Sequence, residues 1–272
     1  MTVVACLKWV DRRPEVDPLS GAVRTDWRTS GASDADQAAL EWALRLGAEW
    51  NEPIIAVTAG PAAADAVLRD ALSVGATRAL RVDVAADVAS TAVAAGIATA
   101  LGHVPTAVLC GAWSLDRGSG AVPAFLAAEL GAHQALGLVT LAPSGRDLLA
   151  ERRLDRGARE RLRVPPPAVC SVEGGSARLR RASLRAVLAA SDAPIEVTTP
   201  PVAPPATVPV RTRPFRPRAR QLDAPHASSA RERILALTGV LTDREPPRTL
   251  VLDPGAAADE ILARLRQWGY RA

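Results

Sequence analysis

The sequence predicts an α/β domain with a doubly wound, mostly parallel sheet, followed by a C-terminal extended arm. Short apolar runs such as Thr2–Val10 and Thr106–Cys110 are typical of strands that are covered on both faces. These runs alternate with segments of helical periodicity, and the connections between them are short. With 272 residues, of which 48% are hydrophobic and 23% charged, the chain is large enough to bury a full core.

The first 130 residues are expected to contain four strands and four helices in alternation. Ser33 and Asp34 are expected to cap the first helix, with Asp34 and Asp36 at its positive end. Asp65 and Arg69 stand four residues apart in the second helix, which predicts an ion pair between them. The predicted strands are Thr2–Val10, Pro53–Ala59, Leu80–Asp83 and Thr106–Cys110, and the predicted helices are 34–50, Ala62–Val74, Val88–Leu101 and Val122–Leu130.

Two stretches break the alternation. Residues 11–32 are polar and include Pro14, Pro18 and Gly21, which predicts an irregular excursion. Further on, Leu136–Leu141, Leu148–Arg153 and Ala168–Val172 follow one another with little helix between them. Their succession predicts an antiparallel or mixed edge of the sheet.

The composition changes after Val197. Residues 198–221 are dense in proline without periodicity, which predicts a linker with polyproline character. Beyond it we expect helices at Arg231–Thr238 and Ala257–Trp268 and a short strand at Thr249–Leu252. This tail has too few apolar residues for a core of its own. The expected organisation is therefore an α/β domain over 1–197 and a linker with a partner-docking arm over 198–272.

The strongest functional signal lies between Thr106 and Gly131. A predicted strand leads through a loop containing Asp116, Gly118, Ser119 and Gly120 into a helix. Such a loop presents backbone N–H groups and the positive end of a helix dipole to one point, where phosphate commonly binds. The spacing matches neither a Walker loop nor a G-x-G-x-x-G motif. The loop is thus either a phosphate cradle of another kind or a tight turn whose glycines serve only backbone geometry.

Two more segments are expected to lie beside this loop. Lys8 and Thr58–Gly60 also stand at the ends of predicted parallel strands, and ligands of such sheets bind beyond the carboxyl ends of the strands. Three segments that converge on one crevice favour a nucleotide-binding domain. Trp113, next to the loop, either stacks on a base or covers an edge of the core.

The remaining chemistry-bearing residues exclude several classes of protein. Cys6, Cys110 and Cys170 lie far apart in apolar segments, which predicts buried free thiols and not a disulfide framework or metal cluster. Nothing in the sequence forms a Ser-His-Asp or Cys-His constellation, and Ser119 lacks the G-x-S-x-G frame, so no catalytic residue is expected. The longest apolar stretches are shorter than a membrane span and no basic leader is present, which predicts a cytoplasmic protein without membrane insertion.

The segment LRDALSVGATRALRV (Leu68–Val82) resembles the signature of the electron-transfer flavoprotein β subunit family. The similarity extends in register over Val3–Val197. Five further segments match in the same order, and together they are far more specific than any one alone. They are VACLKWV, ASDADQAALEWALRL, SLDRGSGAVPAFLAAELG, ERRLDRGARERLRVPPPAV and RASLRAVLAASDAPIEV.

The resemblance implies an adenine-nucleotide α-hydrolase-like fold and a non-enzymatic electron carrier. A β subunit of this family pairs with an α subunit that holds most of the FAD contacts, and the pair carries electrons from a dehydrogenase to a quinone-linked acceptor. The β subunit itself binds AMP, or a second FAD. The resemblance places partner docking at Leu184 and nucleotide contacts at Cys6, Leu7, Lys8, Gly60, Asp116, Gly118, Ser119, Gly120, Ala121 and Val122.

The chain departs from the family pattern at a few positions. Arg159 stands where the family usually has an acidic residue. Arg185 replaces a common proline, and Ala189, Ala190 and Ser191 replace a lysine run. The last four lie in the loop that docks on the dehydrogenase, which leaves room for a specialised donor.

Two other functions compete with the electron carrier. A stand-alone ATP-binding stress-type or adenylating protein would use the same crevice, but it would need side chains for Mg²⁺, and Asp116 is the only acidic residue placed for that. The second is nucleic-acid binding through VRTRPFRPRAR, which holds five arginines. An aromatic content of 3% leaves few stacking platforms, so we expect no nucleic-acid partner.

Overall fold

A nine-stranded sheet is the centre of the computed structural model, which describes residues 1–85, 88–200, 228–238 and 249–270. The strands are β1 (Val3–Leu7), β2 (Val10–Asp11), β3 (Glu15–Val16), β4 (Val23–Arg24), β5 (Ser30–Gly31), β6 (Ile54–Gly60), β7 (Arg78–Asp83), β8 (Ala107–Gly111), β9 (His133–Ser144), β10 (Asp147–Arg153), β11 (Arg159–Val164), β12 (Ala168–Val172) and β13 (Glu196–Thr198). The helices are α1 (Asp34–Trp50), α2 (Asp65–Ser73), α3 (Ser90–Leu101), α4 (Ala121–Leu130), α5 (Leu184–Ser191), α6 (Ala230–Thr238) and α7 (Pro254–Gln267).

The order of the strands confirms the predicted fold class. The sheet runs β11-β10-β9-β12-β8-β1-β6-β7-β13. From β9 through β12, β8, β1, β6 and β7 to β13, adjacent strands are parallel, whereas β10 is antiparallel to both β9 and β11. The antiparallel edge predicted for the second half of the chain is formed by β9, β10 and β11, whereas Ala168–Val172, predicted as part of it, is β12 and is parallel to both β9 and β8.

Hydrophobic cores lie on both faces of the sheet. In β1, Val3, Ala5 and Leu7 join one core cluster and Val4 and Cys6 the other, because successive side chains of a strand point to opposite faces. Every residue of β1 is buried, which explains its near-continuous apolar sequence. The first cluster contains the buried faces of α1 and α2, and the second those of α3 and α4.

The first long helix begins and ends at predicted residues. The Ser33 hydroxyl accepts a hydrogen bond from the Asp36 N–H, and this N-cap starts α1. At the other end Asn51 adopts the left-handed conformation, with φ 52°. These bounds confirm the prediction of a helix from the Ser33 cap to Trp50.

The ion pair predicted between Asp65 and Arg69 is wrong. Asp65 instead pairs with Arg81 of β7, at 2.8 Å. Arg69 donates to the carbonyl oxygen of Ala190 at the end of α5, at 2.9 Å. Tertiary partners therefore replace the local pair, because α2 packs between β7 and α5.

Two further expectations need correction. Residues 11–32 are not irregular throughout: β2 pairs with β5 and β3 with β4, and each pair forms a small antiparallel sheet. The predicted strand at Thr249–Leu252 is wrong. This segment has no ladder partner in the part of the chain that the structure describes, and it leads into the Asp253 N-cap of α7.

The chain divides into two compact units, Met1–Phe215 and Arg216–Ala272. The predicted domain boundary after Val197 stays a prediction, because residues 201–227 lie outside the described ranges. The arginine-rich segment VRTRPFRPRAR lies outside them as well. No helix in the described ranges is both long and apolar enough to span a bilayer.

Candidate functional site

A cavity opens at the carboxyl ends of β1 and β8, beside the first turns of α3 and α4. Parallel strands end together at this edge, so the segments that follow them meet there. Its wall includes Ala59 from β6, Val88 and Ser90 near the start of α3, and Gly111 at the end of β8. The site predicted from strand ends and a small-residue loop therefore corresponds to a real concavity.

The cavity brings together most of the predicted nucleotide contacts. Six of the ten line it: Cys6, Leu7, Lys8, Ser119, Gly120 and Val122. The other four border it without lining it. Gly60 ends β6, Asp116 contacts Lys8, Gly118 lies in the turn before α4, and Ala121 is the first residue of α4. Binding of a nucleotide at these residues stays a prediction.

The loop between β8 and α4 is closed by backbone hydrogen bonds. The Ser114 N–H donates to the Ser119 carbonyl oxygen at 2.9 Å, and the Gly118 N–H donates to that of Ser114 at 2.8 Å. Gly118 adopts the left-handed conformation, with φ 63°, which favours glycine. The loop thus curls back on itself and delivers Gly120 to the start of α4.

Position 120 requires glycine because a side chain would not fit there, and not because the backbone adopts a conformation that only glycine allows. Its φ is −112°, which other residues adopt. A Cβ atom at this position would lie 2.0 Å from the carbonyl oxygen of Ala112, far inside contact distance. The positive φ of this loop lies at Gly118 and not at Gly120.

The N-terminus of α4 faces the cavity. A helix leaves its first N–H groups without intrahelical acceptors, here those of Gly120, Ala121 and Val122. Pro123 follows and has no N–H, so it leaves no further donor in this turn. No side chain within the described ranges caps this helix. Backbone donors and the helix dipole therefore give the cavity an anion-attracting wall.

Lys8 and Asp116 form an ion pair at the cavity. The Lys8 Nζ lies 2.6 Å and 2.7 Å from the two carboxylate oxygens of Asp116. Partial burial raises the pKa of Asp116, but the hydrogen bonds and positive charge of Lys8 outweigh it and hold the pKa below its usual range. The side chains remain 34% and 41% exposed, so the pair is open to solvent.

Asp36 is a cavity-lining residue that sequence reasoning did not assign to the site. Burial raises its pKa to about 6, although hydrogen bonds from Ser33, Lys8 and Gly111 favour the charged form. Its carboxylate accepts from the Ser33 hydroxyl at 3.0 Å and from the Lys8 N–H at 3.4 Å. The Ser-x-x-Asp spacing of a capping box was the available signal. Asp36 thus ties the start of α1 to the ends of β1 and β8.

Two of the three cysteines lie side by side in the cavity wall. Cys6 and Cys110 are register partners on β1 and β8. A hydrogen bond with Cys6, together with burial, raises the pKa of Cys110, which keeps its thiol neutral. All three cysteines are buried and free, as predicted. No group of three metal-ligating side chains is found within the described ranges.

Trp113 and Arg117 also line the cavity. The Trp113 side chain remains 52% exposed, so it does not cover a core edge. The Arg117 guanidinium donates to the carbonyl oxygen of Val88 at 2.8 Å. This bond links the loop after β8 to the segment before α3, on the opposite side of the cavity.

Leu184 lies away from the cavity, as the first residue of α5. Its side chain is 74% exposed, and Val187 and Leu188 are exposed beside it. The three residues follow the i, i+3, i+4 spacing of one helix face, whereas Ala190 is buried. α5 thus presents an apolar stripe to solvent. A helix that only covers a core would instead bury its apolar face and expose its polar face.

Comparison with known proteins places the chain in a family. A profile of the electron transfer flavoprotein domain matches residues 26–203. The electron transfer flavoprotein subunit beta of Methylophilus methylotrophus is 28% identical over 181 residues, which cover 64% of this chain and 69% of that protein. The subunit beta of Mycobacterium leprae is 33% identical over 150 residues, 54% of this chain and 56% of its own length. Protein FixA of Rhizobium meliloti is 28% identical over 204 residues, 70% of each chain.

These matches agree with the fold. The profile spans α1 to β13, the region that forms most of the sheet and the whole lining of the cavity except the end of β1. It covers well over half of the chain, and the relatives carry the β-subunit name or the name FixA. The chain therefore belongs to the electron-transfer flavoprotein β subunit family.

Proposed function

We propose that this chain is the β subunit of a heterodimeric electron-transfer flavoprotein and that its cavity binds AMP. The observation that carries the ligand assignment is Gly120. A glycine whose Cβ would collide with Ala112 lies at the uncapped N-terminus of α4, inside a cavity at the carboxyl ends of parallel strands. This arrangement fits a phosphate group held by backbone N–H groups.

The groups around the cavity favour AMP over ATP. Binding of ATP with Mg²⁺ would require carboxylates that are available to the metal. Asp116 supplies one carboxylate, which pairs with Lys8 in this structure, and Asp36 is buried against backbone N–H groups, so it does not add a second carboxylate for a metal. We propose Cys6, Leu7, Lys8, Ser119, Gly120, Ala121 and Val122 as direct contacts, with Gly60, Asp116 and Gly118 shaping the wall.

The redox chemistry belongs to a flavin, which the family membership implies. We propose that FAD is held mainly by an α subunit and that this chain acts as a carrier subunit without catalytic residues of its own. Its residues would bind and orient, and none would transfer a proton. Three free, buried cysteines support a cytoplasmic location.

Two exposed surfaces support the proposed partners. None of the described residues of α6 and α7 is buried, and Ile234, Leu237, Ile261 and Trp268 are exposed apolar side chains there. We propose that this arm docks on the α subunit. The apolar stripe of α5, with Leu184 at its start, would dock on the dehydrogenase that donates electrons, and a quinone-linked acceptor would take them.

Identification of the bound nucleotide tests the ligand assignment. The chain is co-expressed with an α subunit, the complex is denatured, and the released small molecules are identified by mass spectrometry. We expect one FAD and one AMP per heterodimer. Release of ATP, together with ATP hydrolysis by the purified chain, would replace the carrier by an ATP-binding protein of the same fold.

A further inference from the structure

We propose that Asp116 is an internal substitute for the phosphate of the ligand: it holds Lys8 until an anionic ligand displaces it. The inference rests on the proposed nucleotide site and assigns Asp116 the opposite effect from a simple binding residue. Removing its carboxylate should strengthen the binding of phosphate monoesters.

The first support is the placement of the two charges. Lys8 is the only lysine of the chain, and it directly follows the buried strand β1, so its backbone is fixed by the sheet. Its side chain lines the same cavity as Gly120 and Val122. Both carboxylate oxygens of Asp116 accept hydrogen bonds from the Lys8 Nζ. The carboxylate therefore binds the Lys8 ammonium group as a phosphate group would.

The second support is that Asp116 can leave at little cost. All residues from 115 to 120 are exposed, so movement of Asp116 uncovers no core side chain. An ion pair this open to solvent is weak. A phosphate dianion would meet Lys8 and the N-terminal N–H groups of α4 together, which a single carboxylate in the loop does not.

The arrangement predicts selectivity for the charge of the ligand. An uncharged nucleoside has no anionic group that could replace the Asp116 carboxylate at Lys8, so its affinity does not depend on Asp116. A phosphate monoester must compete with it and is also repelled by it. Asp116 therefore lowers the affinity for AMP and leaves that for adenosine unchanged.

The test is calorimetric titration of the full-length chain, freed of nucleotide by dialysis. AMP, adenosine and inorganic phosphate are titrated into the wild type, Asp116→Asn, Lys8→Gln and the double variant. Asp155→Asn, a change of an exposed aspartate in the turn between β10 and β11, is the matched control. Asp116→Ala is a second variant in case Asn disturbs the turn.

We expect Asp116→Asn to bind AMP about two- to fivefold more tightly, the scale of an exposed ion pair, with adenosine unchanged. Lys8→Gln should weaken AMP binding, and in that background Asp116→Asn should have little further effect. Weaker or unchanged AMP binding by both Asp116 variants overturns the proposal.

Failure of the proposed function gives a different pattern. If no variant binds AMP, the ligand assignment is rejected, and inorganic phosphate then decides the role of Asp116. Phosphate that binds Asp116→Asn more tightly than wild type keeps the displacement mechanism with another phosphate ligand. Equal or absent phosphate binding rejects the mechanism as well.

Discussion

The two compact units differ in what supports them. The first unit has strands such as β1 and β12 in which every residue is buried, and its helices pack on both faces of the sheet. In α6 and α7 of the second unit, none of the described residues is buried. The first unit thus carries its own core and its own cavity, whereas the second has apolar side chains that need a surface. Nucleotide binding and subunit association should accordingly be separable by mutation.

The largest expected effect comes from a substitution that disrupts the proposed nucleotide site in the first unit. Gly120→Ala introduces a Cβ atom 2.0 Å from the Ala112 carbonyl oxygen, so the loop must shift away from the N-terminus of α4. We expect AMP binding to fall by about a hundredfold or more, with or without Mg²⁺. Calorimetric titration measures it.

Gly175→Ala is the matched control for this change, because nothing lies within 4 Å of a Cβ at that position. It should bind AMP as the wild type does. AMP binding that survives Gly120→Ala, or that depends on Mg²⁺, would contradict a site built from backbone donors.

The second effect concerns the pH dependence of stability in the same unit. Burial raises the pKa of Asp36 to about 6 from an ordinary 3.8, so the folded state binds the proton more tightly than the unfolded state. Its contribution to stability is present below about pH 4 and is lost as the pH rises to about 6, by up to about 3 kcal/mol. Asp36→Asn should remove this loss.

Urea unfolding at pH 4.5 and pH 7 measures the effect as a difference between Asp36→Asn and wild type. The variant should gain stability relative to wild type as the pH rises. A difference that stays constant across this range would show that folding does not raise the pKa of Asp36.

The third effect comes from a substitution in the C-terminal arm that disrupts its proposed docking on the α subunit and leaves the first unit unchanged. Ile261 is exposed on α7, and replacing it by aspartate places a charge in the apolar surface proposed to dock on the α subunit. We expect Ile261→Asp to weaken association by about tenfold, while AMP binding is unchanged. Gln267→Asp, an exposed polar position of the same helix, is the control. Equal loss in both variants would argue against a specific docking face.

The smallest expected effect concerns the apolar stripe of α5, which should act independently of both the nucleotide site and the C-terminal arm. Leu184→Ala should slow electron transfer from the dehydrogenase about three- to tenfold, without changing AMP binding or α association. Leu149→Ala removes a leucine that is also exposed, on β10, and should leave the rate unchanged. Rates from stopped-flow flavin absorbance decide between them.

The sequence predicts what local chemistry determines. The Ser33 cap and the fully buried β1 follow from residue type and periodicity, so α1 and the parallel sheet could be predicted. The small-residue loop likewise indicated the place of the cavity, because strand ends and helix starts coincide there.

The rest depends on residues that are distant in the chain. Asp65 finds Arg81 on the next strand, and no local spacing signals that choice. Asp36 becomes buried only because the ends of β1 and β8 meet at the start of α1. The need for Gly120 arises from Ala112, whose carbonyl approaches it through the curl of the loop. Thr249–Leu252 has strand-like residues but finds no ladder partner among the described strands.

Native mass spectrometry of the co-expressed proteins tests the central claim most directly. The wild type should appear as a one-to-one heterodimer with the α subunit that carries one FAD and one AMP. Ile261→Asp should release this chain in part as a monomer that still carries AMP. A wild-type chain that stays monomeric beside the α subunit, or one that carries no AMP in either form, would contradict the account.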